Sequence, residues 1–105
     1  MKRAADVADN RRIVEWLKAD LVETVGVLMK AVLKGGVEAT TDALANLIII
    51  AFVLGRRMGI SFQVVEMRIK HKINTTLNEA TEIEEFNEDL TLLQRYLESR
   101  EHKKR

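Results

Sequence analysis

Residues 40–59 read TTDALANLIIIAFVLGRRMG, and this stretch decides the fold. Between Ala43 and Leu54 only Asn46 is polar. A helix that is apolar around nearly its whole circumference has to be covered on most sides. In a chain of 105 residues, the cover comes from other helices, from a second copy, or from both. The run is bounded by Asp42 and by Arg56-Arg57. It is shorter than the roughly 20 apolar residues of a bilayer span, so no membrane association is expected.

Upstream of this stretch, Gly35-Gly36 marks a helix stop, because glycine takes the left-handed conformation at little cost. Between that stop and a cap at Asp9 or Asn10 lies a first long helix. Ile13, Leu17, Leu21, Val25, Leu28 and Val32 recur along it at helical spacing, and Trp16 and Met29 widen the stripe. The apolar helix itself is expected to start near Thr40 or Thr41, with Glu38 and Asp42 at the positive end of its dipole, and to end near Gly59.

Downstream, Ser61 is placed to cap a third helix with a narrow apolar face of Phe62, Val65, Ile69, Ile73 and Leu77. Its other face carries Arg68, Lys70, His71 and Lys72. The polar run from Thr75 to Thr81 reads as a fraying end and loop. A fourth helix is expected from Thr81, where Thr81-Glu82-Ile83-Glu84 fits a capping box. Ile83, Phe86, Leu90, Leu93 and Leu97 form its heptad-like seam. The whole reads as one all-α domain of four helices that self-associates, most simply as a homodimer, with 1–8 and 99–105 as frayed ends.

Composition removes several function classes. Without proline, long helices meet no obligatory break. Without cysteine there are no disulfides, zinc-thiolate sites or cysteine nucleophiles. A net charge of +1 gives no global field toward nucleic acid, and no nucleic-acid partner is expected. The opening MKRAADVADNRR carries charges where a signal peptide needs an apolar core, which points to a cytoplasmic protein. Ser61 and Ser99 sit in no glycine-framed elbow, and Gly35-Gly36 lacks the frame of a phosphate loop.

Few residues remain for chemistry. Asp20 and Glu23 are three apart on the first helix and project from one face. They are either a solvated acidic pair or ligands for magnesium, which prefers hard oxygen donors. Asp42 and Asn46 lie four apart near the start of the apolar helix. Asn46 is either a structural amide with satisfied hydrogen bonds or a group facing a ligand. If the first two helices are antiparallel across the glycine turn, the two pairs come level with one another. On the third helix Arg68, Lys70, His71, Lys72 and Asn74 are either a solvated basic face or a place for phosphates. Glu84, Glu85, Glu88 and Asp89 read as a solvated acidic face on the last helix.

The segments IVEWLKADLVETVGVLMKAVLKG, DALANLIIIAFVLGRRMGIS and EIEEFNEDLTLLQRYL together resemble the MazG-like proteins, a compact branch of the all-α nucleoside triphosphate pyrophosphohydrolase superfamily. The resemblance runs from about Ile13 to Leu97. It implies a dimeric or tetrameric helical fold that hydrolyses a nucleoside triphosphate to monophosphate and pyrophosphate with Mg2+. It also implies metal ligands in an E-x-x-E on one helix and an E-x-x-D on the next. By position the first pair is Asp20 and Glu23, and the second falls on Ala43 and Asn46. Asp42, next to Ala43, leaves the helix about 100° away. Lys70, Lys72 and Asn74 are the equivalents implied for phosphate contact. Two of the four carboxylates are therefore missing from their positions, and Mg2+ binding and water activation depend on that charge. Two function classes follow. One is a divergent Mg2+-dependent nucleotide pyrophosphohydrolase or nucleotide-binding protein. The other is a non-catalytic helical dimer with a regulatory or protein-interaction role.

Overall fold

The structure is a computed structural model that describes residues 4–79 and 83–103. It contains four helices: α1 (Ala4–Lys34), α2 (Val37–Arg57), α3 (Phe62–Asn78) and α4 (Glu84–Lys103). Among the described residues there is no strand, and the fold is all-α as its sequence implies. The chain divides into two compact units, the first ending at Phe62 and the second beginning at Gln63.

The first unit is an antiparallel hairpin of α1 and α2. Its turn is built on Gly35 at φ 72°. The Gly35 amide donates to the Val32 carbonyl at 3.1 Å, and the Gly36 amide donates to the Ala31 carbonyl at 3.3 Å. This paired pattern closes the C-terminus of α1 and satisfies carbonyls the helix leaves open. α2 then starts at once, with Gly36 as its N-cap at φ −80°, ψ 110°. The expected start at Thr40 or Thr41 is thus too late. Thr41 is already inside the helix, donating its hydroxyl to the Val37 carbonyl at 2.7 Å.

α2 ends at Arg57 in the same manner as α1. The Gly59 amide reaches Arg56 at 3.0 Å, the Ile60 amide reaches Gly55 at 2.9 Å, and Gly59 sits at φ 86°. At this end Asn10 crosses from α1. Its amide donates to the Arg57 carbonyl at 3.2 Å and accepts from the Arg57 guanidinium at 3.4 Å. Asn10 therefore does not cap α1, which begins instead at Ala4. Ala4, Ala5 and Ala8 are strong helix formers, and Asp6 in the first turn suits the dipole. The expected frayed end at 1–8 is helical from Ala4 onward.

The hairpin core is small. Leu17, Leu28 and Ala31 of α1 are buried with Ala43 and Ile50 of α2, and Thr24 is buried among them. Val25, Val32, Trp16 and Met29, all assigned to the stripe, are exposed. Successive steps of four residues advance about 40° too far around the helix, so a stripe drawn by fours drifts off the contact line. Residues 17, 24, 28 and 31 stay on it. Phe52 packs edge-on to Phe62 with ring centroids 6.1 Å apart.

α2 is far less covered than its sequence demands. Ile48 is 55% exposed and Ile49 is 57% exposed. The helix is also long enough, with an 18-residue window apolar enough, to cross a membrane by length and composition only. The apolar run between Asp42 and Arg56-Arg57 is shorter than a span, and the helix reaches that length because Val37 to Thr41 extend it upstream.

In the second unit Ile73 is buried, and Val65, Ile69 and Leu77 are half-buried, which is the narrow α3 face expected. α3 continues through Thr75 to Asn78, where a fraying end was expected. Polar residues without glycine or proline do not stop a helix. The start of the capping box, Thr81 and Glu82, lies outside the described residues. α4 runs from Glu84 through Ser99 to Lys103, past the expected frayed end. Lys70 of α3 forms an ion pair with Glu101 of α4.

Candidate functional site

Because the glycine turn is only two residues long, the N-terminal turns of α2 lie against the C-terminal half of α1. That register brings the two acidic segments together. Asp20, Glu23, Asp42 and Asn46 all line one open cleft of about 390 Å³, with Thr24, Val27, Ala39 and Ala43 as its other walls. The convergence inferred from helical rise is therefore present within the first unit.

The cleft's chemistry follows from its residues. Three carboxylates and one carboxamide offer hard oxygen donors, and none of the four takes part in a salt bridge or hydrogen bond among the described residues. Asn46 is exposed, so it is not a buried structural amide of this hairpin. Ala43, where the resemblance places a carboxylate, is only 2% exposed and is packed in the helix contact. Among the described residues no three His, Asp or Glu groups are grouped to hold a metal ion. The donor set does not make an all-protein cage. It fits the other way in which magnesium is held, by one or two carboxylates together with substrate phosphates and water.

A second cleft, of about 360 Å³, adjoins the first and shares Asp20, Thr24 and Asn46 with it. Its remaining walls are Trp16, Leu17, Ile49, Ile50 and Val53. Trp16 and Thr24 were not singled out as site residues in the sequence. Trp16 was hidden in the apolar stripe, and the signal that would have found it is its position one turn before Asp20 on the same face. Thr24 was legible only as a polar residue on the line of core positions.

The basic-face candidates belong to the second unit, and of them Arg68, His71 and Lys72 share a cleft while Lys70 and Asn74 do not. Lys70 is engaged with Glu101. Lys72 lines a shallow cleft of about 560 Å³ on α3 with Arg68, His71, Thr75, Thr76 and Glu79. Asn74 is exposed and is not part of that cleft.

No curated protein and no solved structure matches the chain. A sequence model of the MazG-like family matches residues 7–90, which takes in the hairpin, both of its clefts, α3 and the start of α4. By that match, over most of its length, the chain belongs to the MazG-like family.

Proposed function

We propose that this protein is a nucleotide-binding member of its family that holds a Mg2+–triphosphate weakly and hydrolyses it slowly. The observation that carries this reading is the convergence of Asp20, Glu23, Asp42 and Asn46 on one cleft of the α1–α2 hairpin. Asp20 and Glu23 are the residues that would hold the ion, and a bound Mg2+ supplies charge neutralisation at the phosphates. The low capacity follows from Ala43 and Asn46, which present no charge where the family pattern has two carboxylates. Asp42 adds one negative oxygen group on a different bearing of α2, so the cleft keeps attraction for a cation while lacking a full ligand set.

A non-catalytic reading, as a regulatory or interaction dimer, is favoured by one specific observation. Ala43 is packed into the hairpin contact, so the position where the family pattern has a carboxylate carries no charge and has little room for a longer side chain. In both readings we infer a homodimer in the aqueous phase of the cell. The support is the apolar surface that the described residues leave open on α2 and along the Ile83, Phe86 and Leu93 seam of α4. Burying a large aliphatic side chain is worth roughly 1.5–3 kcal/mol, so a stripe of them favours association. Pyrophosphate release from a panel of nucleoside triphosphates, with and without Mg2+, tests the main reading. Slow, Mg2+-dependent release with saturable binding supports it. Fast turnover contradicts the impaired-site argument, and absence of binding leaves the regulatory dimer.

A further inference from the structure

We propose that the cleft at the open end of the α1–α2 hairpin is a site for a small phosphate-type oxyanion, held by Arg57 with Arg56 beside it. The inference does not rest on the nucleotide reading above, and the site needs no metal. It starts from the seam of the hairpin. On α1, Asn10, Leu17, Thr24 and Ala31 are spaced by sevens, and on α2 so are Ala43, Ile50 and Arg57. Seven residues bring a helix back to within about 20° of the same bearing, so each set lies along one line. Leu17, Thr24, Ala31, Ala43 and Ile50 are buried on these lines. The last layer of the seam is therefore Asn10 against Arg57. This polar layer fixes a guanidinium: the Asn10 amide donates to the Arg57 carbonyl at 3.2 Å, and its oxygen accepts from the Arg57 guanidinium at 3.4 Å. An amide oxygen takes up one guanidinium donor and neutralises no charge. Among the described residues neither Arg56 nor Arg57 is ion-paired. Both line a cleft of about 490 Å³ that has no carboxylate among its lining residues. Its far wall runs from Gly59 to Phe62, where Phe62 stands edge-on to Phe52. The end of a helix ordinarily opposes an anion, because its last carbonyls are open. Here the Leu54, Gly55 and Arg56 carbonyls accept from the amides of Met58, Ile60 and Gly59, and the Arg57 carbonyl accepts from Asn10. The unanswered groups at the cleft are the guanidiniums, whose planar fork matches two oxygens of a phosphate group. Attraction to the helix dipole explains a cation in this turn, and it does not explain seating one on the contact line against a neutral partner.

Arg57 lies eleven residues beyond Asn46 on α2, about 16 Å by helical rise, so this site is read apart from the acidic cleft. The isotope-labelled chain is titrated with inorganic phosphate in chelator, at low chloride and constant ionic strength, and followed by NMR. The expected result is saturable shifts of the Asn10 side-chain amide, the Arg57 guanidinium and the Gly59 and Ile60 amides. Arg57→Gln should weaken phosphate binding by roughly tenfold or more, the worth of a hydrogen bond to a charged group. Arg57→Lys keeps the charge without the fork and should recover only part of that loss. Arg56 is exposed and holds no intramolecular bond among the described residues, so Arg56→Gln should fold and should weaken binding about two- to fivefold, as for an exposed charge pair. Asp20→Asn plus Glu23→Gln should bind phosphate as the natural chain does. If Arg57→Gln fails to fold, Arg56→Gln and Arg57→Lys decide the matter. The proposal is overturned if the named groups show no saturable shift, if phosphate instead shifts the Arg68 to Lys72 segment of α3, or if the folded arginine variants bind as well as the natural chain.

Discussion

Replacing Ala43 by Glu and Asn46 by Asp supplies the two carboxylates that the resemblance implies at these positions, and the structure separates the cost of the two changes. Asn46 is exposed and has no hydrogen-bond partner among the described residues. Asn46→Asp alone should therefore shift stability by no more than about 0.5 kcal/mol. Ala43 is 2% exposed between the helices, and a glutamate there adds a methylene and a charged carboxylate to a filled contact. Overpacking of this kind costs roughly 1–3 kcal/mol. Its carboxylate has one escape, because Ala43 also forms a wall of the acidic cleft. There it meets Asp20, Glu23 and Asp42, and like charges disfavour one another. The double variant should thus be less stable than the natural chain in metal-free buffer and regain stability as Mg2+ is added. A site filled at 100 times its dissociation constant adds about 2.7 kcal/mol, enough to offset much of the loss. Denaturant melts at several Mg2+ concentrations, with calorimetric Mg2+ titrations at one pH and salt, read both quantities. A double variant as stable as the natural chain without metal would show that Ala43 is not packed as described. A double variant with no gain in Mg2+ affinity would show that the two helices do not present a common site.

Other outcomes follow from single contacts. Asn46→Ala should leave denaturant stability within about 0.5 kcal/mol while lowering nucleotide affinity by calorimetry; a loss of stability would mean that an interface partner holds the amide. Asn10→Ala removes both bonds to Arg57 and should cost about 0.5–1.5 kcal/mol per bond in urea melts. Gly35→Ala forces a side chain onto φ 72° and should cost roughly 1–2 kcal/mol, although nothing crowds the new methyl. Ile48→Glu, on an exposed face of α2, should shift the mass seen by light scattering toward the monomer with little loss of helicity; a natural chain that is already monomeric at micromolar concentration contradicts the proposed dimer.

The elements were legible because their signals are local. Gly35-Gly36 and Gly59 are read directly from conformational freedom, and the turn they were expected to make is the one observed. The helix starts were misplaced for a single reason. Asn10, Thr40 and Thr41 are good capping types, but a cap is used only where the chain has to leave a helix, and the short glycine turn fixed that point at Gly36. The polar run at Thr75 misled in the same way, since polarity without a breaker is compatible with a helix. For the site, Asp20, Glu23, Asp42 and Asn46 could be brought together from helical rise and turn length alone. Trp16 looks like a core residue, because an apolar side chain on a helix carries no mark of whether its face is covered; only its position one turn before Asp20 sets it beside the site. The exposure of Asn46 was obscured for the converse reason. Its neighbours Leu44, Ile48 and Ile49 look like core, and the hairpin leaves all three largely open.

The account rests on the acidic cleft of the α1–α2 hairpin as the place where a nucleotide binds. The most direct measurement is a calorimetric titration of a nucleoside triphosphate, in Mg2+ and then in chelator, into the natural protein and into the Asp20→Asn plus Glu23→Gln variant. Both replaced residues lie at an open cleft and hold no intramolecular bond, so the variant should fold. The account predicts Mg2+-dependent binding to the natural protein that is lost in chelator and weakened at least about tenfold in the variant, the equivalent of roughly 1.4 kcal/mol. Equal binding by the two proteins, or binding indifferent to Mg2+, would contradict it.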